Sequence, residues 1–197
     1  MVKRTQMATE QRKDPLAGLR EYLEINQYQT VYQRARDKSD PLCLFLHGCL
    51  EQIGTVQKED KYELDFIHES GTLDRIHKVK VKFLCARPDR EKVLKHLKRD
   101  KALVDKPEGP HFNPRYRHHI KNKSLYPLMN RKEVMYFTLV EGEILRGIIT
   151  GFSRYEINLN MKQGVPAILF RHSIFDIRDK KGRSYLKSAV EKSKNYW

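Results

Sequence analysis

The chain lacks several features that would assign it to a membrane, a secretory route or a common class of enzyme. No apolar run approaches the length of about 20 residues that a membrane-spanning helix needs. The N-terminal residues are charged and include no apolar stretch, so we expect no secretory signal. The sequence contains no nucleophile elbow, phosphate-binding loop or paired catalytic acids. We therefore expect no catalysis, no cofactor and no metal site.

The cysteines are too few and too scattered for a disulfide framework. Cys43, Cys49 and Cys85 form no CxxC motif, and an odd number of thiols cannot all pair with one another. We interpret all three as small buried hydrophobic residues in a reducing compartment. Together with the absence of apolar runs, this predicts a soluble cytoplasmic protein.

Acidic residues are scarce relative to basic ones, and the excess of basic residues is unevenly placed. The chain has 39 Lys and Arg against 25 Asp and Glu, a net charge of +14. Segments 39–84 and 134–177 carry net charges of −2 and 0, whereas residues 85–133 carry +8 and residues 178–197 carry +5. Such basic segments bind phosphate backbones through counterion release. The alternative is that their charge serves only solubility.

An internal repeat is the most informative feature that is present. Residues 42–84 match residues 134–179, with a shift of about 93 positions. The matching residues are Gly54 with Gly147, Tyr62 with Tyr155, Gly71 with Gly164, and Val81 with Ile174. Glycines at constant spacing indicate turns and bulges, because glycine alone takes positive φ angles without a steric penalty. The repeat predicts two copies of one small β unit.

Strand patterns are clearest in the second copy. A Glu141-Gly142 hairpin turn follows the first apolar run, and residues 155–161 alternate between apolar and polar side chains. The predicted strands are Val134–Val140, Ile144–Phe152, Tyr155–Met161, Pro166–Arg171 and Ile174–Arg178. The predicted fold class is mainly β with flanking helices. It comprises two tandem five-stranded antiparallel sheets, each strongly bent into a small open barrel.

Helices are predicted outside the two copies. One begins near Asp14, a second runs from Pro88 to about Val104, and a weak one covers Tyr185–Val190, whereas Pro110–Lys132 has no period and is predicted to be an irregular basic loop. The predicted divisions are 1–38, a basic segment with a helix; 39–86, the first β unit; 87–133, a helix and basic linker; 134–179, the second β unit; and 180–197, a basic tail.

Three motifs of the second copy follow the spacing of a known family. They are Val140-Glu-Gly142, Gly147-Ile-Ile-Thr-Gly-Phe152-Ser-Arg-Tyr155, and Phe170-Arg-His-Ser-Ile174. On these motifs, the second copy resembles the Sm-like fold and specifically the Hfq family of bacterial RNA chaperones. The first copy resembles the same family more weakly. It has Glu59 at the position of Phe152 and Val79 at the position of His172.

The resemblance implies roles for residues of the second copy. In this family an aromatic residue before the third strand stacks on a uridine base, and a Lys-His pair contacts bases and phosphates. Tyr155 would therefore stack on a base, and Phe152 of the same motif is a further candidate for RNA binding. Arg171 would hold a phosphate or a base edge, His172 would hydrogen-bond a base, and Arg154 would add a cation. The alternatives are that Tyr155 packs between strands and that His172 is a hydrogen-bonded strand residue.

Weaker candidates lie in the first copy and in the linker. Tyr62 and Lys78 occupy the positions of Tyr155 and Arg171, but acidic neighbours imply that this copy binds RNA weakly or only completes an assembly. In the linker, Arg115, Tyr116 and Arg117 combine two cations with a ring that can stack. We predict that this run binds phosphate, the alternative being a solvated loop.

The resemblance also implies a function and an assembly. Sm-like units pair the fourth strand of one unit with the fifth strand of the next, so three two-unit chains would close a pseudo-hexameric ring. We expect such a homo-oligomer, with a dimer or a monomer as alternatives. The predicted function is non-catalytic binding of single-stranded, U-rich RNA by a post-transcriptional regulator. The alternative is a protein-interaction module whose basic arms bind an acidic partner.

Overall fold

The structure is a computed structural model that describes residues 14–26, 28 and 30–186. Residues 1–13 of the predicted N-terminal basic segment lie outside the described residues. The same is true of residues 187–197 of the predicted basic tail, and hence of most of the helix predicted at Tyr185–Val190.

The described chain is mainly β, with helices before and between two runs of strands. The first run and the helices before it are α1 Leu19–Asn26, α2 Val31–Lys38, β1 Leu42–Leu46, β2 Glu51–Glu59, β3 Glu63–His68, β4 Leu73–His77 and β5 Val81–Ala86. Between the runs lie α3 Arg90–His96, β6 Lys98–Arg99, α4 Lys101–Asp105 and α5 Asn122–Asn130. The second run is β7 Val134–Leu139, β8 Glu143–Phe152, β9 Glu156–Met161, β10 Pro166–Phe170 and β11 Ile174–Asp179.

These strands form one antiparallel sheet rather than the two separate sheets that the sequence predicts. The order is β11-β7-β8-β9-β10-β5-β1-β2-β3-β4, and β6 pairs with β8. Each run contributes its strands in the same relative order, the fifth strand first and then the first to the fourth. The runs join where Ile168 of β10 lies opposite Leu84 of β5. The sheet is continuous because this joint satisfies backbone groups that an edge strand leaves unpaired.

A short helix precedes each run of strands and belongs to the repeat. Helix α2 packs on β2, and α5 packs on β8. We call residues 31–86 the first half, residues 122–179 the second half, and residues 87–121 between them the connector. Thr30 begins α2 with a capping box, since its hydroxyl accepts the Gln33 N–H at 3.1 Å and the Gln33 side chain accepts the Thr30 N–H.

The prediction of an irregular loop over Pro110–Lys132 is wrong for its second part. Residues 122–130 form α5, which buries Leu125, Tyr126 and Leu128 against the sheet. Pro127 lies inside this helix and conceals it in the sequence, because proline usually ends a helical pattern. Burial of the apolar face stabilises the helix despite the proline.

The helix predicted from Pro88 to about Val104 is not continuous, since the segment is divided into the helices α3 and α4 with β6 between them. Helix α3 ends because Leu97 takes an extended conformation. The next two residues, Lys98 and Arg99, pair with Ile144 and Glu143 of β8. Pairing with the sheet therefore overrides the helical pattern of this basic stretch.

The hydrophobic interior does not divide at the boundary between the halves. The larger cluster combines residues of the second half with Cys43, Phe45, Phe83 and Cys85 of the first half. The smaller cluster belongs to the first half but includes Phe170 of β10. Because each cluster draws residues from both halves, we expect the halves to unfold together.

The matching glycines Gly54 and Gly147 allow the second and third strands of each half to approach closely. A Cβ atom at Gly54 would lie 2.0 Å from the Ile67 carbonyl oxygen, and one at Gly147 would lie 2.8 Å from the Asn160 carbonyl oxygen. Neither distance is compatible with a side chain, so these positions require glycine.

Two further expectations concern the burial of the cysteines and the absence of a membrane-spanning helix. Cys43 and Cys85 are buried as predicted, but the prediction is wrong for Cys49, which is exposed in the turn between β1 and β2. The helices of the described residues are all too short or too polar to cross a lipid bilayer.

Candidate nucleic-acid interface

Tyr155 lies in the loop between β8 and β9, and 57% of it is exposed. The Arg154 guanidinium lies over the ring, 5.5 Å from its centroid. The Tyr155 carbonyl accepts the Arg171 N–H at 2.9 Å, which ties the loop to the end of β10. The ring is therefore presented to solvent on a fixed backbone with a cation beside it, an arrangement that suits base stacking.

Tyr62 of the first half has the same arrangement. It is 61% exposed, and the Lys61 ammonium lies 5.1 Å from its ring centroid. Its carbonyl accepts the Lys78 N–H at 2.8 Å. The repeat thus preserves an exposed tyrosine, a cation over its ring and a basic residue bonded to its carbonyl.

Arg171 is mostly buried behind the Tyr155 loop. Its guanidinium lies 5.5 Å from the centroid of the Phe152 ring, and its Nη1 donates to the Ile120 carbonyl at 3.5 Å. Among the described residues, neither its Nε nor its Nη2 has a hydrogen-bond partner. Burial lowers the pKa of Arg171 to about 10, so the group remains charged at neutral pH. The site therefore holds a largely buried cation whose two unpaired nitrogens are enclosed by protein.

Phe152 is 2% exposed and cannot stack on a ligand in this arrangement. Its ring packs on Tyr22 of α1 with centroids 4.8 Å apart, while the Tyr22 hydroxyl bonds to the Phe152 backbone. Phe152 instead supports the loop that carries Tyr155.

His172 points into the joint between the halves rather than toward Tyr155. Its Nε2 donates to the Val81 carbonyl of the first half at 2.9 Å, and its ring stacks on Phe170. Burial lowers the pKa of His172 to about 4, an effect that the Val81 bond opposes and that nearby Arg117 and His47 reinforce. The imidazole is neutral at pH 7, and the Val81 carbonyl already occupies its Nε2 hydrogen bond.

Lys78 in the first half has a carboxylate partner, unlike Arg171 among the described residues of the second half. Its ammonium pairs with the Glu59 carboxylate at 2.6 Å, and Glu59 also accepts the Thr30 hydroxyl at 2.7 Å. Phe152 occupies the position of Glu59 in the second half. The difference between the halves is therefore one of charge.

The candidate residues of the connector differ in whether their side chains are exposed or bonded within the connector. Arg115 and Tyr116 lie on a short 3-10 helix and are exposed, Tyr116 by 69%. Arg117 donates from Nε to the His111 carbonyl at 2.8 Å and from Nη2 to the Phe112 carbonyl at 2.9 Å. Burial lowers the pKa of Arg117. Arg115 and Tyr116 can meet a ligand, whereas Arg117 holds the connector together.

The connector also supplies an exposed ring that the sequence pattern does not reveal. Phe112 is 53% exposed and lies edge-on to His77, with ring centroids 5.0 Å apart. His77 is in turn nearly parallel to Tyr62, with centroids 6.4 Å apart. Three rings from two segments thus form a row. In the repeat, Lys61 aligns with Arg154, and this alignment could have indicated the cation beside Tyr62. Nothing in the sequence pairs Phe112 with His77.

A buried ionic cluster fixes the joint between the halves. Lys82 of β5 is 1% exposed and pairs with Glu141 and Glu143 of the second half. Glu141 also accepts from His47 at 3.0 Å and from the Gly48 N–H at 2.8 Å. Burial opposes ionisation of Glu141, but these bonds prevail and hold its pKa at about 2.

Comparison with known proteins adds no relative. A scan against protein-family models finds no family that matches the chain, and a search of curated proteins likewise gives no match.

Proposed function

We propose that the chain is a non-catalytic RNA-binding protein, similar to the Sm-like chaperone Hfq, that binds single-stranded U-rich RNA as a cytoplasmic post-transcriptional regulator. The observation that carries this proposal is the pair of exposed tyrosines, Tyr62 and Tyr155, each with a cation over its ring. Single strands suit such sites because their bases can leave the stack and reach an aromatic platform, whereas duplex RNA offers mainly its shape.

The strand order supports the Sm-like part of the proposal. Each half is a helix followed by five strands in the same order, and the fourth strand of the second half pairs with the fifth strand of the first. That pairing is the one expected between neighbouring Sm-like units. Strands β4 and β11 lie at the two ends of the sheet, so head-to-tail pairing of three chains would complete a pseudo-hexameric ring.

The exposure of each side chain determines the role that we assign to it in RNA binding. Tyr155 stacks on a base, Arg154 contributes charge at the ring, and Arg171 adds positive charge behind them, because its two unpaired nitrogens are themselves enclosed by protein. Arg115 and the exposed Tyr116 extend the contact along the strand. The excess charge of the connector and tail attracts the phosphate backbone without reading its sequence.

Fluorescence anisotropy of labelled oligo-U, oligo-A and an RNA duplex at two salt concentrations tests the proposal. Oligo-U should bind most tightly, and Tyr155→Ala should weaken its binding by about fivefold or more, or about 1 kcal/mol, without changing the salt slope. Tyr136→Ala is a matched control, because Tyr136 also has an arginine over its ring, Arg146 at 5.7 Å, but lies on β7 away from this loop.

Equal and weak binding of all three nucleic acids would contradict the proposal if it were steeply salt-dependent and insensitive to Tyr155→Ala. Only the basic segments would then contact nucleic acid, and the protein-interaction module would become the better explanation.

A further inference from the structure

The chain turns back after β11 and lies along the outer edge of that strand. Asp179 donates its N–H to the Arg183 carbonyl at 3.1 Å, and Tyr185 donates its N–H to the Ile177 carbonyl at 2.9 Å. Between them, Arg178 and Ser184 form an antiparallel bridge. We call residues 183–185 the edge cap.

The edge cap occupies the position on β11 that β10 occupies on β5. Leu84 of β5 lies opposite Leu44, and Ile177 of β11 lies opposite Phe137, which are matching positions of the repeat. In an antiparallel ladder, alternate residues point both backbone groups to the same side. Leu84 lies opposite β10 at the joint, so the carbonyl of Ile177, its match in the repeat, faces the outer edge of β11. There it accepts a hydrogen bond from the Tyr185 N–H.

Side chains hold the edge cap in place. The Ser184 hydroxyl donates to Asp176 at 2.6 Å, and the Arg183 guanidinium pairs with Asp179 at 3.2 Å. Asp179 also accepts the N–H groups of Lys181 and Arg183, which closes the turn. The cap is thus built from several specific bonds rather than from a single backbone contact.

The opposite end of the sheet has no such cover among the described residues. Strand β4 pairs with β3 only, and β4 is the last strand of the sheet. Arg75 of β4 matches Ile168 of β10, so its backbone groups face outward by the same alternation. One edge of the chain is open and the complementary edge is closed.

We propose that the edge cap competes with β4 of a second copy of this chain for the edge of β11, so that head-to-tail assembly requires displacement of residues 183–185. This inference rests on the assembly part of the proposed function. The occupant is a second copy because the joint between β10 and β5 already supplies the pairing geometry within one chain. The capped chain remains a monomer, and release of the cap exposes the edge that β4 fits.

Light scattering across a range of protein concentrations tests this competition with paired variants. Tyr185→Pro removes both the ring and the N–H that binds Ile177, whereas Tyr185→Ala removes only the ring. On β4, Arg75→Pro removes the outward N–H and Arg75→Ala keeps it. We expect the wild type to have the mass of one chain, 23.4 kDa, at concentrations where Tyr185→Pro forms larger assemblies.

The half-assembly concentration of Tyr185→Pro should be at least about fivefold below that of Tyr185→Ala, as expected for one lost hydrogen bond or more. Adding Arg75→Pro to Tyr185→Pro should restore the monomer, and adding Arg75→Ala should not. Tyr185→Pro and Tyr185→Ala with equal masses at every concentration would overturn the competition, as would a wild type that is already assembled.

Anisotropy with oligo-U on the same samples separates this inference from the proposed function. Specific oligo-U binding without any effect of Tyr185→Pro on mass would overturn the edge cap alone. Assembly that responds to the cap in a chain that does not prefer oligo-U would support the cap and contradict the proposed RNA-binding function.

Discussion

The two halves carry the same exposed tyrosine but surround it with different charges. In the first half, Glu59 neutralises Lys78, the basic residue tied to the Tyr62 loop. In the second half, Phe152 replaces that carboxylate, and Arg171 retains two donors without partners among the described residues. The backbone of the site is therefore duplicated, whereas its electrostatics are not. The two exposed rings therefore lie in different electrostatic surroundings, one near a cation that a carboxylate neutralises and one near a cation without such a partner among the described residues.

The largest expected effect comes from breaking the joint that holds the halves together. Lys82→Met would leave Glu141 and Glu143 buried side by side without a cation, and we expect it to lower the free energy of unfolding by about 3–5 kcal/mol. Urea denaturation at pH 7 measures the change. Lys58→Met is the control, because Lys58 and its partner Asp60 lie at the surface and its removal should destabilise by at most about 1 kcal/mol. A loss below that of the control would contradict the assigned role of the cluster.

The joint should also respond to pH through His172. Its folded pKa of about 4 lies below the usual value of about 6.5, so the unfolded chain binds more protons between these values. The stability it contributes is complete above pH 6.5 and is lost as pH falls toward 4. We expect wild type to lose about 2 kcal/mol more between pH 7 and pH 5 than His172→Gln does. Urea denaturation at both pH values tests this, with exposed His119→Gln as a control that should follow the wild type.

The comparison between the tyrosines predicts unequal losses of RNA binding. Tyr155→Ala should weaken oligo-U binding by about 1–3 kcal/mol, whereas Tyr62→Ala should weaken it by less than about 1 kcal/mol, since carboxylates surround Tyr62. Anisotropy titrations of the single and double variants measure both values. Equal losses would mean that the charge difference between the halves does not control binding.

The smallest effect should come from making the first half more like the second. Glu59→Gln frees Lys78 while keeping an oxygen for the Thr30 hydroxyl, and we expect oligo-U binding to tighten about two- to fourfold. The measurement uses the Tyr155→Ala background, so that only the first site contributes. Glu63→Gln, which disturbs the Arg75 pair instead, is the control. Unchanged affinity after Glu59→Gln would exclude Lys78 from the site.

The sequence predicts the strands of the second half well, because they are apolar or alternating runs and glycine turns separate several of them. The sequence does not reveal α2 or α5, because both helices are short and depend on burial for their stability. It also does not reveal that the predicted helix breaks at Leu97, because this break depends on pairing with β8. Exposure of Tyr155 and Tyr62 agrees with the positions singled out by the repeat. The burial of His172 was not predictable, since its partner Val81 lies about 90 residues away.

The ionic cluster at the joint has a consequence for the order of halves in any larger assembly. Phe175 is the residue of the second half that matches Lys82 in the repeat. If the second half of one chain were placed against β11 of another, Glu141 and Glu143 would face Phe175 instead of a cation. Unpaired buried carboxylates are strongly destabilising. The charges therefore favour a joint between a second half and a first half, as within this chain, over a joint between two second halves.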